Sequence, residues 1–261
     1  MSHRPRRRFG QHFLENETIL DAMAERLAYA RNDPVLEIGP GEGALTQHLV
    51  AASDDVTVVE IDRDLVARLK ERFAGLRIIE ADVLRLDLAP LLTPGRRIVG
   101  NLPYNISTPL LLRLLESLGA IRDIHFLLQK EVVDRLAASP RTKDWGRLSI
   151  LAQYGAHVEP LFDVGPESFR PPPKVMSTFV RITPRTSPLP MRSRETFVEV
   201  LRTAFQQRRK TLRNALQSLD IEWDRLEVDP TVRPDAVDLR GYVEIANLVA
   251  DLRTHRKDGH D

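Results

Sequence analysis

The chain has 261 residues, of which 42% are hydrophobic and 29% charged, and its formal net charge at pH 7 is +1. These proportions are typical of a globular protein and exclude a disordered or fibrous chain. Because there is no cysteine, disulfides and thiolate metal sites are excluded, and we expect no bound metal. No apolar stretch approaches the roughly 20 residues that cross a bilayer, and the basic start lacks the apolar segment of a secretory signal. We therefore expect a cytoplasmic protein with no membrane partner, and a monomer, since nothing demands a dimer.

From about residue 15 to residue 185, short apolar runs alternate with amphipathic stretches. The apolar runs are typical of buried strands, and helix-like segments lie between them at 44–52, 64–73 and 108–118. Strands that alternate with helices predict an α/β fold, in which a parallel sheet is covered by helices on both faces. The predicted strands are "PVLEIG", "VTVVEID", "RIIEAD", "RIVGNL" and "IHFLLQ", with a late antiparallel strand, "STFVRITP", expected at the sheet edge.

The character of the chain changes after a proline-bearing stretch that ends at residue 190. Apolar residues then recur with helical spacing over 197–205 and 212–219, and a further helix is predicted over 239–252. The polar, basic stretch 138–147 is interpreted as a loop near the entrance to the ligand-binding site described below. The predicted organisation is a basic N-terminal segment (1–14), an α/β domain (15–185), a linker (186–190), a small all-helical domain (191–254) and a polar tail (255–261).

Three successive strand ends carry a pattern that is typical of a nucleoside site. Gly39, Gly41 and Gly43 lie between the first strand and a helix, where glycine lets backbone N–H groups approach a ligand closely. Glu60 ends the second strand, where an acid accepts hydrogen bonds from ribose hydroxyls, and Asp82 ends the third, placed to accept from an adenine amino group. The ligand is then an adenine nucleoside, NAD or S-adenosylmethionine. The alternative is that the two acids only cap the helices that follow them.

The fourth strand ends in "VGNLPYNIST", at the same edge of the predicted sheet. Asn101 supplies an acceptor oxygen, and the ring of Pro103 stiffens the turn so that Leu102 presents its backbone carbonyl. Two acceptors held in this way can take both hydrogens of an exocyclic amino group and direct the nitrogen lone pair at an electrophile. Tyr104 offers a flat face on which a base can stack. The pattern indicates methylation of a base amino group, and the alternative is an ordinary turn with a packed tyrosine.

With these motifs in place, the chain resembles the rRNA adenine N6-dimethyltransferases, and among them the bacterial small-subunit (16S) rRNA branch. The similarity covers nearly the whole length, through "RRRFGQHFL", "EIGPGEGALT", "VVEIDRDL", "GNLPYNISTPLL", "FLLQKEVVDRLAASP", "FRPPPKV" and "QRRKTLRNAL". The resemblance implies a Rossmann-like, S-adenosylmethionine-dependent methyltransferase. Its substrate would be two adjacent adenines in a hairpin loop near the 3′ end of 16S rRNA, each dimethylated at N6. The partner would be an immature small ribosomal subunit, with a role in its maturation.

The resemblance also implies roles for single residues. Phe169, in "FRPPPKV", would close the other side of the base pocket opposite Tyr104. His12 stands where many members carry asparagine, so its bond to the methionine carboxylate would depend on pH. The implied catalytic residues are Asn101, Leu102, Pro103, Tyr104 and Phe169, and the implied cofactor contacts are His12, Leu14, Gly39, Gly41, Glu60, Asp82 and Asn101.

Two clusters of basic residues are candidates for contacts with RNA phosphates. Guanidinium groups concentrated on an otherwise neutral chain indicate a local phosphate-binding surface. The alternative is a solvated tail and a solvated helix face. The target base must also be unpaired or splayed from its stack before it can enter the pocket. The predicted RNA-binding residues are Arg6, Arg7, Arg8, Arg208, Arg209, Lys210 and Arg213.

Three other functions compete with this interpretation. The first is a large-subunit rRNA adenine methyltransferase of the kind that confers macrolide resistance, against which "FRPPPKV" and "QRRKTLRNAL" count. The second is a ribosome-assembly factor that acts mainly by binding. The third, suggested by the glycine loop alone, is a nicotinamide-dependent dehydrogenase.

Overall fold

The computed structural model describes residues 10–258, with side chains to residue 254. No helix in this part of the chain is both long enough and apolar enough to cross a membrane. The strands are β1 (Phe13–Leu14), β2 (Val35–Ile38), β3 (Val56–Glu60), β4 (Arg77–Glu80), β5 (Arg96–Asn101), β6 (Ile121–Gln129), β7 (Ala156–Val164), β8 (Phe169–Arg170) and β9 (Ser177–Pro184). The helices are α1 (Glu17–Leu27), α2 (Ala44–Ala52), α3 (Arg63–Arg72), α4 (Tyr104–Leu114), α5 (Lys130–Leu136), α6 (Arg147–Gly155), α7 (Arg194–Gln206), α8 (Leu212–Ala215) and α9 (Leu239–Asp258).

One seven-stranded sheet has the order β4-β3-β2-β5-β6-β9-β7. The five strands from β4 to β6 run parallel, and β9 and β7 complete the sheet in antiparallel pairing. α2 connects β2 to β3, α3 connects β3 to β4 and α4 connects β5 to β6, which confirms the predicted α/β, Rossmann-like architecture. This order places the carboxyl ends of β2, β3, β4 and β5 along one edge of the sheet, the position where open α/β sheets bind ligands.

The edge strand differs from the prediction. β9 is antiparallel as expected, but it lies inside the sheet, and β7 covers it as the edge strand. β7 contains Glu159, Asp163 and a register irregularity between Pro160 and Phe162. Polar residues, proline and bulges are tolerated on an edge strand because one side of its backbone has no ladder partner. The same residues break the apolar run by which the other strands are recognised in the sequence.

The first turn of α4 is also not where the sequence predicts it. The helix begins at Tyr104, four residues before the predicted start, and Pro103 occupies its N-cap position. Pro109 lies inside the helix, and such an internal proline weakens the helical pattern in the sequence. The corner at 101–104 is therefore the junction of a strand and a helix and not a free loop.

The core of the sheet lies between its strands and the first helices. Val35, Val58 and Val99 sit on three adjacent strands and are fully buried, and Leu20 and Met23 of α1 are buried in the same cluster. Full burial of such side chains contributes roughly 1.5–3 kcal/mol each. The strands that carry the candidate site are therefore held rigidly.

The described residues divide into two compact units, 10–133 with 156–184, and 134–155 with 185–258. The sequence-based boundaries place 134–155 in the α/β domain instead. Trp145 accounts for the difference, since it is 1% exposed and belongs to the same apolar cluster as Phe197 and Tyr242. Its indole N–H donates to the Val237 carbonyl at 2.9 Å. The predicted loop at 138–147 is thus anchored in the second unit by a buried tryptophan.

Candidate active site

A cavity of about 540 Å³ lies at the carboxyl edge of the parallel strands. Its walls come from the glycine loop after β2, the end of β3, the segment after β4 and the corner after β5. It brings together every predicted cofactor contact and most of the predicted catalytic residues: His12, Leu14, Gly39, Gly41, Glu60, Asp82, Asn101, Leu102, Pro103 and Tyr104.

The glycine loop depends on positive backbone angles. Gly39, Gly41 and Gly43 have φ values of 70°, 60° and 85°, a region that other residues enter at a cost. A Cβ on Gly41 would lie 2.9 Å from the ring of Phe13, and one on Gly43 would lie 2.6 Å from the ring of Phe73. These glycines are needed both for the turn and for the close approach of neighbouring rings.

The glycine loop and the corner after β5 are neighbours. A Cβ built on Gly39 would lie 3.8 Å from the Asn101 carbonyl oxygen and 3.9 Å from Cδ of Pro103. Gly100 explains how the strands come so close, because a Cβ there would be 2.4 Å from the Ile38 carbonyl oxygen. The 101–104 corner therefore faces the same cavity as the loop that follows β2.

Glu60 is buried at the end of β3 and receives backbone hydrogen bonds. Its Oε1 accepts from the N–H groups of Ile61 and Asp62, both at 2.9 Å, and its Oε2 accepts from Gly41 at 3.3 Å. Burial raises its pKa, and the backbone hydrogen bonds oppose that shift. The N-cap of α3 is Asp62 and not Glu60. Glu60 therefore does more than cap the next helix, because it links the end of β3 to the glycine loop at the cavity wall.

Asp82 is only partly buried. Its Oδ1 accepts from the backbone N–H of Leu84 at 2.9 Å, and its Oδ2 lies 3.5 Å from Nε of Arg85. The contact with Leu84 closes a turn and does not cap a helix, and the Asp82 side chain also lines the cavity. Its predicted contact with adenine stays a prediction.

Glu37 was not predicted as a site residue, although it interrupts the apolar run "VLEIG". It lies on β2, is 1% exposed and accepts a hydrogen bond from the Thr46 hydroxyl at 2.6 Å. Burial raises its pKa to about 8, with the nearby Glu60 adding to the shift and Thr46 opposing it. An acid within an apolar strand that ends at the ligand-binding edge of a sheet often belongs to the functional site. Glu37 could therefore have been predicted as a site residue from the sequence.

Asn101 is fixed by the N-terminal segment. Its side-chain N–H donates to the His12 backbone carbonyl at 2.9 Å, so the amide nitrogen is engaged and Oδ1 is left to accept. Leu102 is 1% exposed, and its buried side chain anchors the residue whose carbonyl is the second predicted acceptor. The corner thus has the rigidity that the sequence argument requires.

His12 contacts both the corner and the segment after β8. Its Nδ1 lies 2.6 Å from the Pro171 carbonyl oxygen, which can only accept, so Nδ1 carries the proton and Nε2 is the nitrogen left for a ligand. The His12 ring also stacks on Tyr104, with centroids 5.6 Å apart and planes at 27°. The pH-dependent contact with a cofactor carboxylate stays a prediction.

Phe169 is buried in the core of the first unit. It is 5% exposed and belongs to the apolar core cluster, and it does not line the cavity among the described residues. The cause is the short pairing of β1 with β8, which sets Phe169 opposite Leu14. Its predicted role in closing the base pocket opposite Tyr104 stays a prediction.

The charge of the cavity lining distinguishes S-adenosylmethionine from NAD, both of which the glycine loop and the two acids allow. One guanidinium, that of Arg72, lies among the described lining residues, and it donates to the Glu42 carbonyl and to Gln47. A dinucleotide would bring a negatively charged pyrophosphate into this lining, whereas S-adenosylmethionine carries a sulfonium and an ammonium group. The acidic lining therefore favours S-adenosylmethionine. Six carboxyl groups line the cavity: Glu15, Glu17, Glu37, Glu42, Glu60 and Asp82.

Despite these acids, the described residues contain no group of three or more His, Cys, Asp or Glu side chains placed to hold a metal ion.

The predicted RNA-binding residues have unequal surroundings. Arg208 is tied inside the second unit, since it donates to the Thr142 and Lys143 carbonyls and to Asp235. Arg209 and Lys210 are exposed in the turn between α7 and α8, and Arg213 is exposed with its guanidinium 6.0 Å from the Trp223 ring centroid. These bonds engage the Arg208 guanidinium within the unit, and its predicted contact with RNA stays a prediction. Arg6, Arg7 and Arg8 lie outside the described residues.

The fold and the cavity define a class. A Rossmann-like sheet with a glycine loop, an acid at the end of β3 and an Asn-Leu-Pro-Tyr corner in one acidic cavity is the arrangement of an S-adenosylmethionine-dependent methyltransferase.

Comparisons with known proteins agree with this class. The family model for ribosomal RNA adenine dimethylase matches residues 2–234. The chain is 48% identical to the ribosomal RNA small subunit methyltransferase A of Pseudomonas aeruginosa, over 97% of this chain and 98% of that protein. It is 47% identical to the protein of the same name from Dechloromonas aromatica, over 95% of this chain and 99% of that one.

Two solved structures are similar over most of their length. A dimethyladenosine transferase from Plasmodium falciparum has a TM-score of 0.79 at 23% identity, with 93% of this chain and 98% of that chain covered, which shows a shared fold. The 23S rRNA methyltransferase ErmE has a TM-score of 0.67 at 26% identity, with 91% and 99% covered. The chain belongs to the ribosomal RNA adenine dimethylase family. It is an enzyme of that family, and S-adenosylmethionine is its cofactor.

Proposed function

We propose that this enzyme dimethylates N6 of two adjacent adenines in a hairpin loop near the 3′ end of 16S rRNA, within an immature small ribosomal subunit in the cytoplasm. We propose further that it acts as a monomer, because every predicted cofactor contact lies in the cavity of one chain's first unit. The names of its relatives support the small subunit as substrate. The single observation that carries the chemistry is the contact between the glycine loop and the 101–104 corner.

The 101–104 corner promotes methyl transfer by positioning the adenine amino group. When bound, S-adenosylmethionine supplies a methyl group that its sulfonium already activates for transfer. Asn101 Oδ1 and the Leu102 carbonyl accept the hydrogens of the adenine amino group, which turns the nitrogen lone pair away from ring conjugation. The His12 carbonyl keeps the Asn101 amide in the accepting orientation through its 2.9 Å hydrogen bond. Holding the nitrogen in line with the methyl group supplies most of the rate acceleration.

No strong general base is required in this scheme. The amine would act as a neutral nucleophile and displace the methyl group from sulfur, and its proton would pass to water only after the new N–C bond had formed. The raised pKa of buried Glu37, about 8, leaves that acid mostly protonated at neutral pH, with its Oε2 bonded to Thr46. Glu37 is therefore assigned to the cofactor wall and not to proton removal.

RNA is held by charge outside the cavity. Arg209, Lys210 and Arg213 are exposed on the second unit and can contact phosphates without reading sequence. Such contacts fix register and make affinity fall as salt rises. Arg208 is left out of this surface because its guanidinium is engaged within the unit.

The substrate is tested with purified small and large subunits that lack these methyl groups, each incubated with the enzyme and S-adenosylmethionine labelled in its methyl group. We expect label in the rRNA of small subunits alone. Label confined to large-subunit rRNA would instead favour the macrolide-resistance activity, for which the likeness to ErmE is the supporting observation.

The assembly-factor alternative is tested in cells that lack the enzyme. The Asn101→Ala variant removes the amide oxygen and leaves the described surface of the second unit unchanged. We expect it to lose methylation and to leave small-subunit maturation defective. Full restoration of maturation by this variant would make binding the dominant role.

A further inference from the structure

Tyr104 is held at two points. One face of its ring stacks on His12, and its phenol oxygen lies 2.8 Å from Oγ of Ser177 in a hydrogen bond that either group can donate. The ring itself is half-buried, and burial raises the pKa of the phenol, with the Ser177 contact opposing the shift. The contact with Ser177 is the directional one of the two.

Ser177 stands on a rigid part of the sheet. It is the first residue of β9, is 1% exposed and is paired with Gln129 of β6 on one side and Val164 of β7 on the other. A residue with strands on both sides has little backbone freedom. Its hydroxyl is therefore a fixed point at the end of a flexible aromatic side chain.

We propose that Ser177 is a positioning residue for methyl transfer, whose hydroxyl holds the far end of the Tyr104 side chain and so fixes where the ring lies for the target adenine to stack on it. The proposal rests on the proposed function, since it takes Tyr104 as the stacking surface. Nothing in the sequence motifs points to Ser177, which follows the exposed Val175 and Met176 after "FRPPPK".

The ring needs this anchor because of its place on α4. Tyr104 is the first residue of the helix, so no preceding helical turn packs against its side chain. A stacked base follows the ring, so any sliding of the ring changes where N6 lies relative to Asn101. The His12 ring restrains the plane of the Tyr104 ring but not its position within that plane, because stacking tolerates sliding. The Ser177 contact supplies the missing restraint.

The first test compares two variants of adjacent hydroxyl residues on β9. Ser177→Ala removes the contact with Tyr104, and the control, Thr178→Val, removes a hydroxyl that contacts Asp163 at 2.6 Å instead. With small subunits as substrate, we expect Ser177→Ala to lower kcat/KM about tenfold, the size of one lost hydrogen bond. We expect its Kd for S-adenosylmethionine to stay within about twofold of wild type, and Thr178→Val to keep wild-type kcat/KM.

The second test removes the same hydrogen bond from the other end. We expect Tyr104→Phe to lower kcat/KM to the same degree as Ser177→Ala, and the double variant to be no slower than Tyr104→Phe alone. A residue that only stabilised the fold would instead add its loss to that of Tyr104→Phe. This variant keeps the test valid even where Ser177→Ala folds poorly.

The outcomes separate the two proposals. Wild-type rates for Ser177→Ala or Tyr104→Phe, multiplied losses in the double variant, or an equal loss in Thr178→Val would each overturn the role of Ser177. Full activity of Tyr104→Ala would instead overturn the stacking surface in the proposed function. Loss of activity in Tyr104→Ala, with no effect of Ser177→Ala, would remove the inference alone.

Discussion

Buried ionisable groups have different partners at the two edges of the parallel sheet. At the amino edge, Arg97 at the start of β5 donates to Asp33 and to Asp123, both at 2.7 Å. At the carboxyl edge, buried Glu37 and Glu60 are bonded by a hydroxyl and by backbone N–H groups, which carry no charge.

The groups at the two edges also have different roles, since the Arg97 cluster stabilises the fold and Glu37 and Glu60 line the cavity. Arg97 is 5% exposed and also donates to the Leu27 carbonyl at 3.0 Å, so its charge is matched and its donors are used within the fold. Burial raises the pKa of both Glu37 and Glu60, because no cation nearby offsets the cost of their charge. A matched cluster stabilises the protein, whereas acids without a bonded cation at a cavity wall stay available to a ligand that donates hydrogen bonds or carries positive charge.

The largest effect is expected at the amino edge. Arg97→Met leaves Asp33 and Asp123 buried without their shared cation, which should lower the free energy of unfolding by about 3–5 kcal/mol. The control is Arg122→Met, because Arg122 also contacts Asp33, at 2.9 Å, but its side chain is 58% exposed. We expect less than about 1 kcal/mol for the control. Equal losses in urea unfolding of the two variants would contradict the distinction between the edges.

Asn101→Ala should act at the other edge without destabilising the fold. Loss of the accepting oxygen should reduce kcat by about a hundredfold to a thousandfold, as for other preorganised polar groups. We expect the Kd for S-adenosylmethionine to change by less than about tenfold, since the glycine loop and Glu60 are intact. Single-turnover methylation and calorimetry measure the two quantities. A variant that still transfers methyl groups at the wild-type rate would refute the account of the corner.

Glu37→Gln tests the raised pKa of this buried acid through the pH dependence of the free energy of unfolding. The folded pKa of about 8 lies above the ordinary 4.5, so the folded state binds this proton more tightly than the unfolded chain. Its stabilising contribution is complete below about pH 4.5 and is lost as pH rises to about 8. Relative to Glu37→Gln, which does not titrate there, wild type should lose about 4 kcal/mol over that interval, at about 1.4 kcal/mol per pKa unit. Urea unfolding at pH 5 and pH 8.5 gives the difference, and a constant difference would contradict the shift.

The smallest effects are expected on the second unit. Arg209→Ala should weaken small-subunit binding at every salt concentration tried and reduce the slope of log K against log salt by about one. Arg208→Ala should leave that slope unchanged and lower the free energy of unfolding instead, because Arg208 donates to Asp235 and two backbone carbonyls. Filter binding from low to moderate salt distinguishes the two arginines. A reduced slope in Arg208→Ala would return that residue to the RNA surface.

Much of the fold could be predicted because it depends on local pattern. The parallel strands are apolar runs, and the predicted bounds of α2, 44–52, are those of the structure. β7 was missed because an edge strand can hold Glu159 and Pro160. The segment 134–155 was assigned to the wrong unit because its position depends on where Trp145 is buried, which no local pattern states.

The same limit applies to the site. The glycine loop, Glu60 and the 101–104 corner could be placed from the sequence because each follows a strand at one edge of the sheet. The surroundings of Phe169 and Arg208 could not, since each is set by partners far away in the chain. Ser177 was invisible for the same reason, being 73 residues from Tyr104.

The central claim is that the acidic cavity and the Asn-Leu-Pro-Tyr corner together methylate adenine N6 in small-subunit rRNA. Mass mapping of that rRNA, after reaction of unmethylated small subunits with the enzyme and S-adenosylmethionine, tests it most directly. The account predicts two adjacent N6,N6-dimethyladenosines near the 3′ end. Methyl groups found on any other base atom, or an unmodified 3′ region, would contradict it.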